Sequence, residues 1–375
     1  MTKLMVIAGE ASGDLHGGHV IAELKKLMPQ VELFGTGGQQ LEQAGTKLFY
    51  RAEDMAVIGF KEVLRNYSYY KGIFNDMVAK LDSERPDAVF LVDYAGFNLR
   101  FAKEAKARGI PVIFYVAPQV WAWKKGRVKT MRQVIDHLLV LFPFEVDFFA
   151  KEGITAHCFG HPLLDIVFPS TPKEAFRREL GLSEDQRLVA LLPGSRRNEV
   201  LKHLPLLAEV ARKLTTERPE IRFVYPLAST VKRSEVEPAL TGLPISLVEG
   251  RTYDAVSAAD LAVVASGTAT LETAILQTPL LIFYKVTNTT YAIGKYLLGI
   301  KAIGLPNIVL GREAVPEMVQ AKTEPDRMAE HLLRLLDDPQ AYAAQKDHLA
   351  ELLTKLGEPG AYAKTGKFLA DLLQK

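Results

Sequence analysis

The stretch Leu4-Met5-Val6-Ile7-Ala8-Gly9-Glu10-Ala11-Ser12-Gly13-Asp14 stands near the start of the chain and decides how the rest is read. Its apolar run is short and shows no polar alternation, so it reads as a strand buried on both faces, the kind found in parallel sheets. The polar, glycine-bracketed residues after it make a turn. The same unit recurs. Apolar runs stand at Leu4–Ala8, Val31–Phe34, Ala88–Val92, Val112–Val116, Leu138–Phe142 and Ala156–Phe159. A second series stands at Leu188–Leu192, Ile221–Tyr225, Ile245–Val248, Leu261–Ala265 and Leu280–Tyr284. Amphipathic stretches separate them, which is the rhythm of doubly wound α/β domains.

The breaks in this rhythm divide the chain. His161-Pro162, Pro169-Ser170 and Thr171-Pro172 interrupt any regular element. The expected organisation is therefore one domain over 1–165, a second over 166–340, and helices over 341–375 that pause at Gly357-Glu358-Pro359-Gly360. Two Rossmann-like domains of this kind are expected to face each other across a cleft. Ligands in such sheets sit beyond the carboxyl ends of the strands, so residues just after each run are the candidates.

Length and composition narrow the function classes. A chain of 375 residues buries a core without needing disulfides or structural metals. Hydrophobic residues at 48% and charged residues at 24% exclude disorder and fibrous repeats. Lys and Arg number 46 against 44 Asp and Glu, a net charge of +2 that argues against a general nucleic-acid binder. Cys158 is the sole cysteine, which forbids an internal disulfide and points to a reducing compartment. The first apolar run is too short for a signal peptide, and no run approaches the roughly 18 residues of a membrane span. A cytoplasmic, soluble or peripheral protein is expected.

Common nucleotide fingerprints are missing. Gly9–Asp14 and Gly35-Thr36-Gly37-Gly38 both fail G-x-G-x-x-G, and no G-K-[ST] occurs. No Asp-x-Asp pair or zinc-spaced His/Glu cluster signals a metal. What remains is Leu192-Pro193-Gly194-Ser195-Arg196-Arg197, a strand end leading into a helix. Backbone N–H groups there, with a guanidinium, suit a phosphate; equally, Ser195 is a plain N-cap beside solvated arginines. Ala265-Ser266-Gly267-Thr268-Ala269-Thr270-Leu271-Glu272 offers a second such helix start, with Glu272 placed to accept from ribose hydroxyls or simply to favour the helix dipole. In the first half, Asp93 follows its strand directly and suits a general base toward a hydroxyl, or a loop cap. His16 suits an acid/base or a phosphate ligand, although a lone histidine is more often structural, and His161 beside Pro162 reads as structural.

Three segments, Gly9–Asp14, Asp93-Tyr94-Ala95-Gly96-Phe97-Asn98 and Tyr115-Val116-Ala117-Pro118-Gln119-Val120-Trp121-Ala122-Trp123, together resemble the signatures of lipid-A-disaccharide synthases. Leu192–Arg196, Ser266–Glu272 and Leu305-Pro306-Asn307 extend the resemblance in the family's order over nearly the whole chain. It implies an inverting, metal-independent glycosyltransferase of GT-B fold that needs no cofactor. Such an enzyme joins UDP-2,3-diacylglucosamine to 2,3-diacylglucosamine 1-phosphate, making the β-1,6-linked lipid A disaccharide and UDP. By the same resemblance Asp93 is the base for the acceptor hydroxyl. Glu10 and Ser12 face the donor, and Gly194, Ser195, Arg196, Ser266, Gly267, Thr268, Glu272 and Asn307 bind it, with Arg196 on the diphosphate and Glu272 on the ribose. Domain 1–165 would then hold the acceptor and touch the membrane, and domain 166–340 would hold the UDP-sugar.

Phe60, Val63, Leu64, Tyr67, Tyr70, Phe74 and Met77 recur at helical spacing beside Lys61, Arg65 and Lys71. That pattern suits a core-facing helix or one lying in a membrane interface. The resemblance selects the second, placing the protein peripherally on the cytoplasmic face of the inner membrane, and allows a homodimer with exchanged C-terminal segments. Two other classes compete: a UDP-sugar epimerase of the same fold, and a non-catalytic UDP-binding protein that docks on membranes.

Overall fold

The five residues Leu4–Ala8 are wholly buried, because each is flanked by a parallel neighbour and covered on both faces. In the computed structural model, which describes residues 2–55, 67–118, 125–285, 302–320 and 323–374, they form most of β1 (Lys3–Ala8). Around it stand β2 (Glu32–Gly37), β3 (Lys47–Arg51), β4 (Ala88–Val92), β5 (Val112–Tyr115), β6 (His137–Val140) and β7 (Ala156–Cys158). They order as β3-β2-β1-β4-β5-β6-β7. A second sheet contains β8 (Arg187–Leu192), β9 (Ile221–Leu227), β10 (Ile245–Glu249), β11 (Leu261–Ala265), β12 (Leu280–Tyr284) and β13 (Glu317–Val319), in the order β10-β9-β8-β11-β12-β13. All pairings are parallel.

Both sheets are doubly wound with the same reversal. The strand order turns between β1 and β4 in the first and between β8 and β11 in the second. Ligands of open α/β sheets bind at such switch points. The loops after β1 and β4 carry Gly9–Asp14 and Asp93–Asn98, and those after β8 and β11 carry Pro193–Arg197 and Ser266–Thr268. Chain topology thus brings each pair of motifs together.

Two strands are not legible as apolar runs. β3 and β13 lie at sheet edges, and their residues are partly exposed, so Lys47, Arg51 and Glu317 are tolerated in them.

The chain packs as two compact units, Met1–Asp165 with Leu356–Lys375, and Ile166–Lys355. The helices beyond residue 341 are therefore not a body of their own. The helix Pro339–Leu356, up to Lys355, belongs to the second unit and is tied there by Gln345, whose amide accepts from Leu280 N at 2.9 Å and donates to Leu280 O at 3.1 Å. Ala361–Leu373 packs on the helix Ala11–Leu27 of the first unit. Gly366 permits that approach, since a Cβ there would lie 2.8 Å from Glu23 Cβ. The Asp165 carboxylate accepts from the backbone N–H groups of Gly360 and Tyr362 at the helix start. Among the described residues no helix is long and apolar enough to cross a membrane.

Candidate active site

In the first unit the site corner is built by strain. Asp93 and Tyr94, at φ of +50° and +46°, are two successive non-glycine residues in the left-handed region. Such a conformation costs on the order of 1–3 kcal/mol per residue and persists where neighbours impose it. Here they do. Asp93 N donates to Tyr115 O at 2.8 Å, and Tyr94 Oη donates to Met55 O at 2.9 Å. Asn98, fully buried one turn into the helix Ala95–Ala107, donates Nδ2 to Asp93 O at 2.8 Å and Val92 O at 3.2 Å. Gly9 has no side chain because a Cβ there would stand 2.4 Å from the Tyr94 ring.

Asp93 emerges from this corner half-buried. Burial pushes its carboxyl above the ordinary aspartate value, while hydrogen bonds from the Tyr94 backbone and the Ser12 hydroxyl pull the other way. Glu10, exposed just before the helix Ala11–Leu27, adds its charge to the burial that raises the Tyr94 phenol. Asp14 serves the backbone instead. Its carboxylate accepts from Gly38, Gln40 and Leu41 N–H groups at 2.7–3.0 Å, capping the helix Gln39–Gln43.

Two histidines near that loop are structural. His16 Nδ1 lies 2.7 Å from Tyr362 Oη, and burial lowers its pKa to about 4. His161, packed against Phe142, is lowered by burial to about 3. Both are held neutral.

In the second unit, Gly194 sits at φ +127°, where a Cβ would lie 2.5 Å from Glu199 Oε2. Ser195 O accepts from Thr230 Oγ1 at 2.6 Å, and the helix Arg197–Glu217 begins without a side-chain cap, so Ser195 is not its N-cap. Arg196 is exposed, and burial with the Glu199 charge raises the Tyr284 phenol while the Arg196 charge opposes the rise. Buried His203 lies 2.7 Å from Pro193 O through Nδ1 and fixes the loop from below.

The helix Thr268–Ile275 follows Gly267, again without a side-chain cap. Glu272 accepts from Tyr253 Oη at 3.1 Å; burial raises its carboxyl, and the Tyr253 bond opposes the rise. Ser266 Oγ donates to Ile303 O at 2.7 Å. Asn307 is fully engaged within the protein. Its Nδ2 donates to Val315 O and Glu317 Oε1, both at 2.7 Å, and its Oδ1 accepts from Ala314 N and Val315 N at 2.8 and 2.9 Å. Glu317 also accepts from Ile303 N and Gly304 N at 2.8 and 3.0 Å.

Residues 4–371 match the family model described as lipid-A-disaccharide synthetase. The lipid-A-disaccharide synthase of Syntrophus aciditrophicus is 41% identical over 355 residues, 94% of this chain and 93% of that one. Its counterpart in Geobacter sulfurreducens is 40% identical, over 91% and 89% of the two chains. The chain belongs to the lipid-A-disaccharide synthase family.

Membership makes it a glycosyltransferase of lipid A biosynthesis, and the epimerase alternative is not favoured. Fold alone would not decide this. A Neisseria meningitidis UDP-GlcNAc 2-epimerase, solved with UDP-GlcNAc, matches at a TM-score of 0.64 and 15% identity over all of both chains. The calicheamicin glycosyltransferase CalG4 matches at 0.64 and 12% identity, over 100% and 99%. Both share the GT-B arrangement of two parallel-sheet domains.

For a lipid-A-disaccharide synthase, the motif residues fall into two groups. Ser12 lowers the Asp93 carboxyl against burial, and the Glu10 charge acts on the Tyr94 phenol. Gly194, Ser195 and Arg196 surround one helix start, and Gly267, Thr268 and Glu272 another. The side chains of Ser266 and Asn307, read from sequence as donor contacts, hydrogen-bond protein groups around residues 303–317. Sequence reading missed Tyr253, Glu199, Tyr284 and Glu317, since nothing in their spacing announces which carboxylate or hydroxyl they meet. Phe60, Val63, Leu64, Gln119 and Trp121-Ala122-Trp123 lie outside the described residues. Tyr67 begins the helix Tyr67–Glu84, on which Tyr70 is half-buried. Met77 is fully buried in the core of the first unit and Phe74 packs against that core, so these two residues of the expected membrane stripe face inward. Among the described residues no group of three or more His, Cys, Asp or Glu is arranged to hold a metal ion.

Proposed function

We propose that this enzyme transfers the 2,3-diacylglucosaminyl group of UDP-2,3-diacylglucosamine to the 6-hydroxyl of 2,3-diacylglucosamine 1-phosphate. The observation that carries the reading is the half-buried Asp93 carboxylate, held by Ser12 at the switch point of the first sheet, in a chain of this family. Asp93 takes the hydroxyl proton as the acceptor oxygen attacks the anomeric carbon from the face opposite the leaving group. The bond from that carbon to the phosphate oxygen breaks, and its electron pair leaves with UDP. The configuration inverts, giving the β-1,6 linkage.

The second unit takes the nucleotide in this reading. The uncapped helix start at Arg197, with Arg196, meets the diphosphate and stabilises its growing charge. Glu272, oriented by Tyr253, accepts from the ribose hydroxyls. Glu10 and Ser12 contribute on the donor side of the first unit. Ser266 and Asn307 contribute to the donor site, and their hydrogen bonds to Ile303 O and to Glu317, which in turn accepts from Gly304 N, hold residues 303–304 in place beside it.

The proposal extends to place. Phe60, Val63, Leu64, Tyr67 and Tyr70 supply acyl and membrane contact, seating the protein peripherally on the cytoplasmic face of the inner membrane. A homodimer that exchanges C-terminal segments is part of the same reading, the segment being the one that here seats on the chain's own first helix.

The test is UDP release from UDP-2,3-diacylglucosamine, with and without 2,3-diacylglucosamine 1-phosphate, in EDTA. Acceptor-dependent release with a disaccharide by mass spectrometry is expected. Release without acceptor, or UDP binding with no turnover, would contradict it.

A further inference from the structure

We infer that Asn98 is a positioning residue for the transfer, acting by holding the left-handed corner from which Asp93 presents its carboxylate. The inference rests on the reading of Asp93 as the base.

Asn98 touches three parts of the corner. Its Nδ2 donates to Asp93 O at 2.8 Å and to Val92 O at 3.2 Å, with Ile7 O at 3.5 Å. Those carbonyls end β4 and β1, the two strands that flank the switch point. The side chain is wholly buried, and its Oδ1 finds no partner among the described residues. A buried amide that leaves one pole unsatisfied is a poor choice for stability alone. Here the donor end meets the carbonyl that two successive left-handed residues turn inward. Strained backbone of this kind survives only where its surroundings over-determine it, and it concentrates at working sites. Tyr94 supplies the second tether through Met55 O, and Gly9 the space for the Tyr94 ring. Removing the Asn98 donor lets residues 93 and 94 relax toward ordinary φ, which turns the carboxylate away and exposes it to water.

The experiment compares Asn98→Ala, Gly9→Ala and Asp93→Asn with the unaltered enzyme, reading kcat, KM for both substrates, the pH profile of kcat and thermal unfolding. Gly9→Ala presses on the same corner from the Tyr94 side, and decides alone should Asn98→Ala not fold. Both corner variants are expected to lose about 100-fold in kcat, the scale of a misplacement near 1 Å. Both KM values should stay within about threefold. The acid limb of kcat should move to lower pH, because the burial that raises the Asp93 carboxyl is lost. A folded variant with an unmoved acid limb and kcat near that of the unaltered enzyme overturns the inference. Full turnover by Asp93→Asn overturns the underlying reading of the base instead, whatever the corner variants do.

Discussion

The hydroxyl of Ser12, in the first turn of the helix Ala11–Leu27, faces the Asp93 carboxyl at the end of β4 and pulls its pKa down against burial. It thus favours the ionised form. Ser12→Ala should therefore raise the Asp93 carboxyl further and move the acid limb of kcat to higher pH. At pH values below that limb's midpoint the loss should be roughly 3- to 10-fold, the scale of one hydrogen bond. A limb that stays in place, or moves down, means Ser12 serves some other group.

Glu317 is the hub behind residues 303–304. With its carboxylate gone, the N–H groups of Ile303 and Gly304 and one hydrogen of Asn307 lose their partner. Glu317→Ala should destabilise the second unit by about 2–4 kcal/mol, since an unsatisfied buried group costs about 1–3 and these three, partly buried, recover part of that from water. Asn307→Ala should behave likewise, lowering the denaturation midpoint together with donor affinity. Raised KM for the donor with an unchanged midpoint would instead show that Asn307 touches the donor.

Tyr253 orients Glu272 through a bond of 3.1 Å. If Glu272 holds the ribose, Glu272→Gln should weaken UDP by about 10-fold or more, as expected for a charge-assisted bond. A UDP analogue lacking both ribose hydroxyls should be indifferent to the change. Calorimetry with the two ligands separates this from a general loss of the site, which would weaken both.

His16 and His161 make stability fall in mild acid. Their folded values, about 4 and about 3, lie below the ordinary 6.5. The unfolded chain thus binds more protons over that interval. Stability is fully present above about pH 6.5 and is lost as pH drops toward the folded values, on the order of 3 kcal/mol for His16. Denaturant unfolding at pH 7 and pH 4.5 should show His16→Asn with a shallower loss than the unaltered protein. Equal losses in both would remove His16 from the account of acid sensitivity.

Val63→Ser, Leu64→Ser and Tyr67→Ser together should cut sedimentation with vesicles containing anionic lipid, while circular dichroism stays native. Unchanged sedimentation, or unfolding, assigns these residues to a core.

The sequence reveals what chain order and burial impose. Continuous apolar runs expose the interior strands, and the residues just past them flank both switch points, because a parallel sheet puts every strand's carboxyl end on the same edge. The edge strands β3 and β13 stay hidden, since Lys47, Arg51 and Glu317 interrupt the apolar signal there. Asn98 is visible as part of a motif but not as a tether, and nothing in the spacing shows that the Asn307 amide is engaged by Val315, Ala314 and Glu317. Roles of that kind depend on which carbonyl faces which amide, and spacing along the chain does not encode it.

The most direct measurement is the rate of acceptor-dependent UDP release by Asp93→Asn, beside its affinity for UDP. With Asp93 as the base and the nucleotide held by the second unit, the rate should fall by about 10²- to 10⁴-fold while UDP affinity is unchanged. Turnover within about twofold of the unaltered enzyme would contradict the assignment.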